Sequence, residues 1–203
     1  MTWAPPPEDH PLARLRQLSL TVLLGPRSRY GAHYFRLFRE GQEVLGGLYS
    51  QGPYPGYNWL EVLRYNAPEE AEAGRVEWEG EVFRALGALV PPGGHLMVEY
   101  ESPRWQETAR ALAGGVPPAA TELGLLLLEA GCGAAFKDWY FPEGGAEGPR
   151  KLQGFKALEQ ENARAGARRQ RGALAAFLSW ASQGPLRDRA QRALALLEGV
   201  FAE

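Results

Sequence analysis

The sequence has one cysteine, Cys132, and three histidines, His10, His33 and His95. A lone thiol excludes an internal disulfide and a thiolate zinc site, and histidines so far apart form no metal-binding motif, so no metal is expected. Lysine is nearly absent, at 137, 151 and 156 only, and arginine carries the remaining positive charge. A net charge of −2 removes the bulk electrostatic case for nucleic acid as a partner. No apolar run approaches the roughly 18 residues of a membrane helix. The longest block, Leu125–Ala130, already contains Glu129. The opening Met1–Asp9 has neither a basic stretch nor an apolar core, so no signal peptide and no membrane partner are expected, and the location expected is cytoplasmic. What is present is ordinary globular material: 203 residues, 45% apolar and 23% charged. Gly (25) and Pro (16) are dispersed as punctuation, marking many turns.

Three textures follow one another. Leu18–Leu24 alternates with period two, Tyr34–Phe38 and Glu43–Tyr49 flank a tight connection at Glu40–Gln42, and Trp59–Tyr65 follows a Gly/Pro/Tyr-rich loop. These read as antiparallel strands. From Glu69 the period becomes helical, with Val82, Phe83, Leu86, Leu89 and Val90 on one face until Pro91–Gly94 ends it. His95–Glu101 reads as a strand, Trp105–Leu112 and Pro117–Ala130 as helices, and Phe136–Phe141 as a last strand. Beyond Gly144–Gly145 the spacing of Leu152, Phe155 and Leu158, then of Leu174, Phe177 and Leu178, predicts helix to the end. The expected fold is α/β, a mixed sheet with antiparallel N-terminal strands and a β-α-β-α-β half. The expected division is an α/β domain over 1–145 and a helical appendage over 146–203.

That order of elements resembles the Gcn5-related acetyltransferase fold. Phe35–Gly47 (Phe-Arg-Leu-Phe-Arg-Glu-Gly-Gln-Glu-Val-Leu-Gly-Gly) resembles the second and third strands of that family. Glu61–Tyr65 resembles its fourth strand, and Leu123–Gly133 the helix before its last strands. The resemblance implies acyl or other group transfer to a small amine, with a coenzyme A ester as donor. Ala67–Arg75, however, carries Glu69, Glu70 and Glu72 where those enzymes cradle a pyrophosphate on a glycine-rich loop at a helix N-terminus. A second resemblance, of Leu89–Glu99 with its Pro91–Gly94 turn, is to S-adenosylmethionine-dependent methyltransferases, although their glycine-rich loop has no counterpart. At whole-chain level, Pro117–Gly124 and Lys137–Phe155 resemble an uncharacterised bacterial and archaeal domain-of-unknown-function family, which lends no catalytic residues.

Candidate chemistry gathers at strand ends. Glu99 and Glu101, two apart on a strand and about 6.6 Å from each other, are the candidate catalytic carboxylates, base and ligand anchor. Asp138 and Tyr140 are candidate ligand-binding residues. If His95–Glu101 pairs in parallel with Phe136–Phe141, alternation brings them into one pocket with Glu99 and Glu101 and turns Trp139 away. Thr121, in the first turn of a helix, is a further candidate ligand contact. Cys132, just after a helix stop, reads better as a buried apolar group than as a nucleophile. Arg150, Lys151, Lys156, Arg164, Arg168, Arg169 and Arg171 make a basic run that reads as a solvated helix face rather than a nucleic-acid surface. A small-molecule ligand in a cleft between Trp59–Tyr65 and His95–Glu101 is the leading expectation. The opposing one is a non-enzymatic scaffold whose last helix, Leu186–Phe201, buries its apolar stripe against a second copy as a homodimer.

Overall fold

Alternating apolar residues followed by a helical period make an α/β architecture, and the computed structural model has one. It describes residues 2–29, 31–66, 75–99, 105–133, 135–140 and 150–202. Seven strands form one mixed sheet: β1 (Thr21–Arg27), β2 (His33–Arg39), β3 (Gln42–Ser50), β4 (Trp59–Tyr65), β5 (His95–Glu99), β6 (Ala135–Tyr140) and β7 (Arg150–Phe155). Their order across the sheet is β1-β2-β3-β4-β5-β7-β6. The β2–β3 turn is Glu40–Gly41, both at positive φ, the backbone that matches the twist of a two-residue hairpin. β4 and β5 pair in parallel from Trp59/His95 to Val62/Val98, and every other pair is antiparallel.

The helices are α1 (Arg75–Ala88), α2 (Gln106–Ala113), α3 (Glu122–Glu129), α4 (Gln160–Leu178) and α5 (Pro185–Glu198), preceded by a 3-10 helix over Pro11–Leu18. Val22, Phe35, Leu37, Leu60, Val62, Leu96, Val98 and Leu152 line one sheet face. They share a core with Leu12 and Leu15 of the 3-10 helix, Phe83 and Leu86 of α1, and Leu123 and Leu127 of α3. A second core joins Leu125 and Leu128 of α3 to Leu174 and Phe177 of α4 and to Ala190, Ala193 and Leu197 of α5.

Two expectations are corrected here. Residues 150–155 are a strand, not helix, so the helical part begins at Gln160. The i, i+3 spacing of Leu152 and Phe155 mimics a helix, but in the strand Leu152 faces the first core while Lys151 and Gln153 share the opposite face, and all three are buried. The expected parallel pairing of the His95 strand with the Phe136 strand does not occur. β7 stands between them, antiparallel to both.

Candidate functional site

The face of the sheet away from the first core is polar at its centre. Register puts Trp59, His95 and Phe155 in one row, Glu61, Met97 and Gln153 in the next, and Glu99 beside Lys151 in a third. Among the described residues, the β4–β5 ladder runs to Val62/Val98, while β4 continues to Tyr65 paired with β3. A bulge at Leu63, between the pairs Gly47/Val62 and Gly46/Arg64, bends β4 where the parallel pair ends. The carboxyl ends of parallel strands are where α/β sheets receive ligands.

Lys151 joins the two carboxylates at this point. Its Nζ forms an ion pair with Glu61, reaching across β5, and lies 3.5 Å from Glu99 Oε1. Burial holds the Lys151 ammonium below the ordinary lysine range, because a low-dielectric surround disfavours charge. Beside it, Gln153 is 1% exposed, and its Oε1 is buried with no hydrogen-bond partner among the described residues. His95 is tilted against Phe155 at 5.7 Å, and burial lowers its pKa too.

On the same face, Arg36 and Arg64 flank Glu43. Arg36 Nε lies 2.8 Å from Glu43 Oε2, and Arg64 Nε 2.9 Å from Oε1. Burial alone would raise the Glu43 carboxyl, but the hydrogen bonds and charges of the two guanidinium groups outweigh it and hold the carboxyl below its usual range. Gly46 makes this possible: a Cβ there would stand 2.5 Å from Glu43 Oε1 and 2.6 Å from an Arg64 nitrogen.

The candidates read from sequence are distributed unevenly. Glu99 stands in the carboxylate–lysine cluster. Glu101 lies outside the described residues. Positions 138 and 140 on β6 pair with Leu152 and Arg150, whereas Glu99 pairs with Lys151, which pairs with Trp139. Asp138 and Tyr140 thus occupy the alternate rows to Glu99, with β7 intervening, and the pocket expected to unite them with Glu99 is not formed. Thr121 is the N-cap of α3: its Oγ accepts from Gly124 N at 3.0 Å and donates to Pro118 O at 2.6 Å. The expected cleft between β4 and β5 is closed by pairing over four residues of each strand. The Ala67–Gly74 stretch, where a pyrophosphate loop would sit, lies outside the described residues.

Glu61, Lys151 and Gln153 were not singled out from sequence. The signal for Glu61 was its place in the alternation of β4. In the sequence Lys151 reads as part of the basic run, and Gln153 as part of a helix where the structure has β7. Cys132 is fully buried, and burial pushes its thiol up to about 12, which removes it as a nucleophile. A cavity of about 240 Å3 opens separately between α1, α3 and α5, lined by Glu79, Glu122, Asp188 and Arg189 among others. Arg189 is held there by Glu107 at 2.8 Å and by the Ala120 carbonyl. Among the described residues, no three His, Cys, Asp or Glu side chains are grouped to hold a metal ion, and no helix is long and apolar enough to cross a membrane.

Comparison with known proteins agrees with this architecture and adds no activity. A family model described as a protein of unknown function (DUF1122) matches residues 35–181. The crystal structure of a protein of unknown function from Aquifex aeolicus VF5 is similar at a TM-score of 0.62 and 26% identity, over 85% of this chain and 88% of that one. No curated protein matches the sequence.

Proposed function

The chain belongs to this DUF1122 family of proteins of unknown function, and since membership brings no chemistry with it, we propose from the geometry that it transfers an acyl or related group to a small amine on the polar face of the sheet. The observation that carries this reading is the Glu61–Lys151–Glu99 set at the point where the parallel pair ends. An amine reaches an enzyme at neutral pH as an ammonium ion and must lose a proton before it can attack. Either carboxylate accepts that proton. The freed nitrogen lone pair then forms the new bond to the acyl carbon while the carbon–sulfur bond of a thioester breaks, and the thiolate leaves with the nitrogen's second proton. The sheet, with one parallel pair between antiparallel strands, supports an acetyltransferase-like arrangement in which a coenzyme A ester is the donor.

Thermal-shift measurement tests the donor first. Acetyl coenzyme A is expected to raise the melting temperature, and stabilisation by S-adenosylmethionine alone would replace acyl with methyl transfer. With a small primary amine as acceptor, release of coenzyme A thiol gives the rate. Glu61→Gln or Glu99→Gln, whichever removes the base, should lower that rate by about 10²–10⁴-fold.

The second reading is a non-catalytic scaffold that self-associates as a homodimer through its C-terminal helices. It is favoured by Trp180, 68% exposed at the end of α4 with its ring edge-on to Phe177 at 4.9 Å. Sedimentation of Trp180→Ser against the parent chain tests it: a dimer in the parent and a monomer in the variant are expected on this reading.

A further inference from the structure

Among the described residues, the centre of the polar face contains an acceptor with no donor. Gln153 is 1% exposed and its Oε1 is buried without a hydrogen-bond partner, an arrangement that native proteins rarely leave unanswered. Its row neighbours are Met97 on β5, which has no donor to offer, and Lys137 on β6, and beyond Met97 in the same row on β4 stands Glu61. Lys151, two residues earlier on the same face of β7, directs its ammonium to Glu61 and Glu99. A Glu61 carboxylate has lone pairs for more than one donor. A group that donates to the amide oxygen and carries positive charge toward the carboxylate would answer both residues at once.

We infer that Gln153 is a positioning residue for a primary ammonium ligand, whose N–H groups are shared between Gln153 Oε1 and the Glu61 carboxylate. This rests on the polar face being the ligand site, as proposed above, and narrows the amine to one with N–H bonds to give. A primary ammonium satisfies both requirements. A quaternary ammonium brings charge without a donor, and an alcohol brings a donor without charge.

Those three chemistries can be compared on the intact chain with no acyl donor present, by 1H–15N NMR titration with n-butylammonium, butyltrimethylammonium and 1-butanol. The expected result is saturable binding of n-butylammonium, at least about tenfold tighter than either of the others, because a site built around a hydrogen bond discriminates against ligands that cannot make it. Gln153→Met should weaken n-butylammonium by at least about tenfold while the melting temperature of the unliganded protein stays level or rises, since the substitution removes an unanswered acceptor. Gln153→Glu, which keeps an acceptor, should retain binding. Equal binding of the quaternary ion, unchanged binding by Gln153→Met, or no binding at all would overturn the inference. So would a fall of several degrees in melting temperature in Gln153→Met, which would show that Oε1 already has a partner such as a buried water. Amine binding without acyl transfer would remove the transferase reading and leave this one standing. Acyl transfer to another acceptor without n-butylammonium binding would do the reverse.

Discussion

All three histidines have pKa values lowered by burial. His10 caps the N-terminal 3-10 helix by accepting the Leu12 N–H on Nδ1 at 3.1 Å, and its Nε2 lies 3.2 Å from the Tyr49 hydroxyl. His33 stacks on the same tyrosine at 5.3 Å. Burial is the largest influence on each; Asp9 opposes it at His10, while Arg27 adds to it at His33. His95 is lowered by burial alone. A depressed folded pKa means that the unfolded chain takes up protons first as pH falls. The stability these groups contribute is therefore complete above the unfolded value of 6.5 and is lost as pH drops through the lower folded values. Protonation at Nδ1 of His10 would also break the cap. Urea unfolding should show a lower midpoint at about pH 5.5 than at about pH 7.5, with an unchanged slope. A midpoint that is flat or higher at the acidic pH would contradict the assignment. The direction of these shifts was not legible in the sequence, where a histidine beside Pro11 or Gly94 looks the same whether exposed or buried.

At the scale of elements, α1 and α3 meet through a glycine. A Cβ at Gly87 would stand 2.1 Å from the Ala130 carbonyl oxygen, a backbone atom that cannot swing aside. The same end of α1 is closed by Lys156, whose Nζ donates to the carbonyls of Gly87 at 2.7 Å and Val90 at 2.8 Å, satisfying groups the helix leaves unbonded. Gly87→Ala, a good helix former on propensity alone, should cost about 2 kcal/mol and lower the melting temperature by roughly 5 °C through overpacking. A melting temperature at or above that of the parent would show that the two helices can separate without penalty. Period and punctuation make most elements visible: β1 to β6 and the three helices between β4 and β6 overlap their expected spans, whereas the 3-10 helix over Pro11–Leu18 has no counterpart among the expected elements. β7 is not visible, because tertiary contact overrides pattern there and buries Lys151 and Gln153 inside the sheet.

For the molecule as a whole, the last helix decides between two ways of burying an apolar stripe. Ala190, Ala193 and Leu197 of α5 pack with Leu125 and Leu128 of α3 and with Leu174 and Phe177 of α4, inside one chain. Deleting 185–203 should therefore uncover this second core, lowering the melting temperature and promoting aggregation. An unchanged melting temperature, with a dimer becoming a monomer, would restore the view that α5 serves a second copy.

Periodicity, turn residues and the shortage of Cys and His determined by themselves the fold class, the order of most elements and the exclusion of disulfide and thiolate-zinc chemistry, because these depend on local spacing and residue count. The candidate site was only half legible. Glu99 was visible as a carboxylate at a strand end, but Lys151 links it to Glu61, with Gln153 in the adjacent row, only because β7 inserts between β5 and β6. That insertion, and with it the separation of Asp138 from Glu99, is a matter of which strand edges pair. Alternation along a strand says which residues share a face and nothing about which neighbour that face will meet.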